Sequence, residues 1–256
     1  MFRRLRVFLL VGLAATFVSS AFAAFAAAVG PPEFGTCSPP LDLPEGSGQY
    51  MDESCTEPGG NDRYEWYPRT GGEFIIAKGK TKVATQAGTF ECTEAHSIGM
   101  YTSPKTVNEL QIRLRGCKLG AAQCSSSGAA AGEVNTSTLE GVLGFAEVAG
   151  PRKTTQRVAA FELSPPSATP FAEFSCGASA IVLQGAPIGT IAQSTKVRTL
   201  TMLFKAKKGA QTITHLEGMT GQPLESSVNA GPFAPSPIKS SLKNLNFENI
   251  LVNTAV

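Results

Sequence analysis

Six cysteines and a sparse set of glutamates, histidines and aromatics are the residues here whose types and spacing bear on chemistry. The string CKLGAAQC places Cys117 and Cys124 with six residues between them, around a Gly-Ala turn. Such a pair is a metal half-site, a redox couple or a staple. Zinc sites draw on clustered Cys and His, and the two histidines, His96 and His215, lie away from this string. No C-x-x-C redox motif occurs. An even cysteine count therefore reads as disulfides. Cys37 and Cys55 share the N-terminal segment and are expected to pair. Cys117 and Cys124 are expected to close a hairpin-like loop. Cys92 and Cys176 sit in matching strings, TFECT and EFSCG. Residues two apart on a strand share a face, so each Phe and Cys should point inward together, and Cys92–Cys176 is the expected buried bridge.

Catalytic motifs are poor. There is no G-x-S-x-G elbow, no H-E-x-x-H and no P-loop. All three aspartates, Asp42, Asp52 and Asp62, lie upstream of residue 72, so a Ser-His-Asp triad would have to borrow its acid from there. Both histidines read as hydrogen-bonded structural residues. A glycosidase needs two carboxylates flanking the sugar bond. Glu140 and Glu217, each in a Leu-Glu-Gly string, are the one pair to nominate. The acidic string DESCTEPGGND lacks the alternating oxygen spacing of an EF-hand loop, so no metal or other cofactor is expected.

Tyr64, Trp66 and Tyr67 stand together in YEWYP, among carboxylates. They are the candidate ligand-binding residues, for a sugar. The alternative is that they form the small core, or the lid, of the segment that carries them.

The elements that must position these residues follow from pattern. Arg3, Arg4 and Arg6 precede a stretch from Val7 to Pro32 without a charge, with small-residue cleavage sites at Ala21-Phe22-Ala23 and Ala24-Phe25-Ala26. This reads as a signal peptide over 1–26, contacting the membrane during export. An uncleaved anchor is the alternative. Residues 27–71 are rich in Pro, Gly and acid and read as a loop-rich module tied by Cys37 and Cys55. From 72 to 256 strand signals dominate. ELQIRLR puts Leu110, Ile112 and Leu114 on one face, and RTLTMLFKAK does the same with Leu200, Met202, Phe204 and Ala206. Turn strings such as SPPSATP and NAGPFAPSP punctuate the runs. Many short strands with frequent turns predict an all-β chain, an antiparallel sandwich or barrel. The Ala-rich stretch 121–131 admits one turn of helix, and 186–196 is ambiguous.

Charge is unevenly placed. Without the three leader arginines the chain carries 19 bases against 20 acids. Between Glu33 and Glu73 nine acids face two bases, Arg63 and Arg69, whereas 17 bases and 11 acids follow. The bias is either solvated surface or a means of docking an acidic module on a basic domain. Dispersed lysines and a near-neutral balance argue against nucleic acid as a partner.

The strings EFGTC, GQYMDESCT, YEWYP, YTSPKTV, GAAAGEVNTSTLEGVLG, FAEFSCG and ILVNTAV, in this order, resemble a family of exported, cysteine-containing β proteins from soil actinobacteria. The resemblance covers nearly the whole chain after the leader. Ser103-Pro104-Lys105-Thr106 departs from the Gly-Pro-Lys-Thr form of that family. The resemblance implies an exported, mainly β protein and carries no activity with it. The combined reading is a secreted or cell-surface protein, non-enzymatic, with a binding or structural role toward an envelope glycan or protein. The alternative is a secreted carbohydrate-active hydrolase using Glu140 and Glu217.

Overall fold

Alternation builds the sheet. Along Ile238–Asn246 every second residue from Ile238 is buried and every second from Lys239 is exposed, the period that a strand with one wet face requires. Leu200, Met202 and Phe204 are buried as the pattern predicts, and so are Leu110, Ile112 and Leu114. ELQIRLR is not one strand, however. It breaks between Thr106–Leu110 and Arg113–Arg115, after Glu109, next to last in the first of these, takes a left-handed φ of 56°. The computed structural model describes residues 30, 32–40, 44, 47–151, 154–166, 169–193, 198–217 and 219–254. The signal peptide expected over 1–26 lies outside these.

Eight antiparallel strands close into a ring. They are Glu73–Thr85, Glu94–Tyr101, Thr106–Leu110, Leu139–Ala149, Thr155–Ser164, Ile188–Gln193, Thr199–Phe204 and Ile238–Asn246, and ring order is chain order. The last pairs back on the first, from Ile238↔Val83 to Asn246↔Phe74. The chain is thus an all-β barrel with outer strands, and the ambiguous 186–196 stretch supplies a wall strand. The outer strands come from the excursions between wall strands. Gly88–Cys92, Lys118–Leu119, Ala122–Ser125, Ala172–Cys176, Ser179–Ala186 and Gln222–Val228 pair in succession. The Ala-rich stretch is therefore strand at Ala122–Ser125, followed by turns.

All six cysteines are oxidised, and two of the expected pairings are corrected. Cys37–Cys55 forms as expected. The others are Cys92–Cys117 and Cys124–Cys176, rather than Cys117–Cys124 and Cys92–Cys176. Register explains the difference. Glu91 faces Lys118, Lys118 faces Gln123 and Cys124 faces Cys176. Cys92, Cys117, Cys124 and Cys176 therefore stand in one buried row across four adjacent strands. The two ends of that row are three strand spacings apart, about 14 Å, beyond the reach of a disulfide. A bond between the middle pair would strand both outer thiols, so pairing from the ends is the arrangement that oxidises all four. The inward placement of each Phe-x-Cys does hold: Phe90 and Phe174 are buried and stack with centroids 4.5 Å apart. The disulfides are compatible with an extracellular location.

The N-terminal segment joins the body through backbone. Glu33–Ser38 pairs with Leu251–Asn253 on one side and Glu65–Pro68 on the other. Phe34 is 2% exposed and packs edge-on against Tyr101 and Phe161 at 5.0 and 5.9 Å. The Phe34 amide donates to Pro104 O at 2.7 Å. Among the described residues, an ion pair that crosses from this segment joins Arg69 to Glu248. Its base lies on the acidic segment, so this contact runs opposite to acid-on-base docking, one of the two readings of the charge bias.

Non-reducing peptide mapping is expected to recover Cys92 linked to Cys117 and Cys124 linked to Cys176; a Cys117–Cys124 peptide would overturn the assignment. Replacing Cys124 and Cys176 together by Ser, which opens a 52-residue separation, should lower stability by about 4 kcal/mol in urea titrations. Phe34→Ala should cost about 3–5 kcal/mol. A cost near zero would show that the N-terminal segment is only loosely applied.

Candidate functional site

The aromatic trio lies on the N-terminal sheet. Cys37 faces Trp66 and Thr36 faces Tyr67 across the ladder. The Trp66 ring covers Gly35 so closely that a Cβ there would run into it. Its Nε1 donates to Glu33 Oε2 at 3.2 Å, which gives that buried carboxylate a partner. Tyr64 exchanges backbone hydrogen bonds with Tyr50. All three rings are half-buried. Nearby, the Asp52 carboxylate accepts hydrogen bonds from the amides of Ser54, Thr56 and Glu57 and from the Thr56 hydroxyl. Desolvation pushes its pKa up, but these donors outweigh it and hold the group at about 2. They fix the loop closed by Cys37–Cys55.

The nominated glutamates are apart in role. Glu140 is exposed on a wall strand, opposite Ser164. Glu217 sits in a turn with φ 44°, its amide donating to Phe145 O at 2.8 Å and its carboxylate 3.8 Å from Lys105 Nζ. It lines a cleft of about 570 Å³ with Glu147, Arg157, His215 and Thr212, and Glu140 is not part of that lining. Arg157 stacks over Phe145 at 4.3 Å. His215 shares a hydrogen bond with Thr214, and His96 lies 3.3 Å from Glu94. Among the described residues no group of three or more His, Cys, Asp or Glu is placed to hold a metal ion.

A second concavity was not foreseen. A groove of about 820 Å³ runs between the turn after Ser164, the strand Ser179–Ala186 and the strand Gln222–Val228. Pro165, Pro166, Pro170 and Pro223 form stiff walls, and Phe233 stands at the rim, 43% exposed. Gln184 and Glu225 are register partners on the floor, Gln184 Nε2 donating to Glu225 Oε2 at 3.1 Å. The register slips immediately after Gln184, at Gly185, whose φ of 117° favours a residue without Cβ. In the sequence, SPPSATP and NAGPFAPSP read as punctuation; their prolines and Phe233 are the signal that a rigid, partly apolar surface is being built.

Glu162 lies two residues before Ser164 on the same strand face. Its carboxylate packs against Gly221, a groove residue, and burial pushes its pKa up. No family model matches the chain, nor does any curated protein or solved structure.

The raised Glu162 value has a definite sign. Below the ordinary value of 4.5 the group is protonated in both folded and unfolded chains and carries no penalty. As pH rises past 4.5 and through the raised folded value, the desolvation penalty develops and stability falls. Glu162→Gln should flatten this loss and be more stable than wild type at neutral pH, as read by melting temperature across pH 4 to about 7. Parallel profiles for the two proteins would exclude the effect.

Proposed function

We propose that the protein is a secreted or cell-surface binding protein of the cell envelope, acting without catalysis, and that it takes a glycan along the proline-walled groove. The carrying observation is the pairing of surfaces in that groove. Proline rings and Phe233 offer apolar faces to the C–H faces of sugar rings, while Gln184, Gln222 and Glu225 offer donors and acceptors to hydroxyls. Ligand sites commonly combine apolar walls with a few fixed polar groups. The Gln184–Glu225 hydrogen bond holds two of those groups in place before a ligand arrives, which reduces the ordering cost of binding. The charge-free leader stretch, three disulfides and the resemblance to exported actinobacterial proteins support the envelope setting. The hydrolase alternative keeps one point of support, the presence of Glu217 beside Glu147 and His215 in the smaller cleft. Its nominated partner, Glu140, is not among the residues that line that cleft.

Titration calorimetry with soluble peptidoglycan fragments and envelope polysaccharides tests the reading. A glycan of this panel should bind, and Phe233→Ala or Glu225→Gln should weaken it about tenfold, a change of about 1.4 kcal/mol. Absence of heat across the whole panel, or variants that bind as wild type does, would remove the groove as a glycan site.

A further inference from the structure

Two neighbouring wall strands carry a concentrated positive surface. Lys78, Lys80 and Lys82 point outward from Glu73–Thr85, alternating with inward residues. Lys239 and Lys243 do so from Ile238–Asn246. Register sets Lys82 opposite Lys239 and Lys78 opposite Lys243, with Lys80 opposite Ser241 between them. Lys208, in a turn, lines a small cleft together with Lys82 and Lys239. Like charges directly opposed on a sheet are unfavourable. Among the described residues, Lys82 alone of these six has a carboxylate partner, Glu91, at 2.7 Å. The strand on the far side, Thr199–Phe204, adds the uncharged Thr201 and Leu203 to the same face.

The face changes character toward its other end. Leu245 follows Lys243 on the same side of the strand, about 7 Å on. It faces Ile75, and Ile75 faces Ile98 on the next strand. Leu245 is 44% exposed, Ile98 61% and Phe247, just past the strand, 61%. Six large apolar side chains are exposed among the described residues, so half of them gather at this one border. A lysine field bounded by an apolar row is the pattern of surfaces that sit at an anionic bilayer, with apolar side chains in the interface and ammonium groups among phosphates.

We propose that this face docks the protein on an anionic phospholipid membrane. Lys78, Lys80, Lys82, Lys239, Lys243 and Lys208 meet the headgroups, and Ile98, Leu245 and Phe247 enter the interfacial layer. The charge complementarity selects an anionic partner, and the apolar row selects a lipid surface over a soluble polyanion. The inference stands apart from the glycan groove, which uses none of these residues, so either can fail without the other.

Co-sedimentation of the exported protein with vesicles tests it. Wild type should bind phosphatidylglycerol–phosphatidylcholine vesicles at least tenfold more strongly than pure phosphatidylcholine, and the difference should shrink as salt rises toward about 1 M, where charge is screened within about 3 Å. The quadruple variant Lys78→Gln, Lys80→Gln, Lys239→Gln, Lys243→Gln should lose at least tenfold on anionic vesicles. Ile98→Ser with Phe247→Ser should lose several-fold there while leaving weak binding to soluble polyphosphate unchanged. Circular dichroism of each variant checks the fold, and the apolar double variant serves if the lysine variant proves unstable. Equal binding to neutral and anionic vesicles, or a double variant that binds anionic vesicles as wild type does, would overturn the proposal; the second result with tight polyphosphate binding would assign the face to a soluble polyanion.

Discussion

Ring closure is the constraint from which the rest follows. Strand Ile238–Asn246 must find Glu73–Thr85 across more than 150 residues, and the ladder between them runs nearly the length of both. Closure removes exposed edges, which open sheets must otherwise protect, and it divides every wall strand into an inner and an outer row. The inner rows make one continuous core in which Tyr101 and Phe161 meet Phe34, and Phe74 meets Tyr101. Tyr101 shows how complete the enclosure is. Its hydroxyl donates to Asn246 Oδ1 at 2.9 Å, and burial pushes its pKa up against the opposing influence of Arg69. The outer rows are left free to carry surface chemistry.

The two ends of the long strand Glu73–Thr85 meet different partners. Near Phe74 the barrel is closed by the N-terminal sheet, with Phe34 as its buried contact. Near Val83 the wall continues into the outer strands, where Phe90 stacks on Phe174 and the four cysteines lie in their row. Both disulfides of that row link strands that are already hydrogen-bonded neighbours. They add covalent restraint along the direction in which the outer sheet would otherwise peel from the barrel. The Cys37–Cys55 bond acts separately, holding a loop whose hydrogen bonds converge on Asp52.

Much of this was legible in the sequence, because alternation is a local signal. Leu200, Met202 and Phe204 declare their face without reference to any other strand, and so do Phe90 with Cys92 and Phe174 with Cys176. What required the fold was register. Nothing in CKLGAAQC reveals that Cys117 has Cys92 on its other side, and the closer partner in sequence, Cys124, is claimed by Cys176. The same holds for function. The groove depends on Gln184 and Glu225, which lie 41 residues apart and become a pair only when two outer strands align. The lysine field was invisible because dispersed charges in the chain become rows when Lys78 comes to face Lys243. The string YEWYP stood out by composition, yet Trp66 is spent in large part on covering Gly35 and satisfying Glu33.

The pairing of Glu33–Ser38 with Leu251–Asn253 has a consequence for how the molecule is made. The strand that leaves the ribosome among the first of the folded body has its partner among the last. The barrel seam likewise stays open until residues around 246 have been synthesised. Contacts this distant in sequence slow folding, so the nascent chain spends its whole synthesis without a native seam. A polypeptide held open in that way stays unclosed until its two seam strands meet, and the fold itself postpones its own completion.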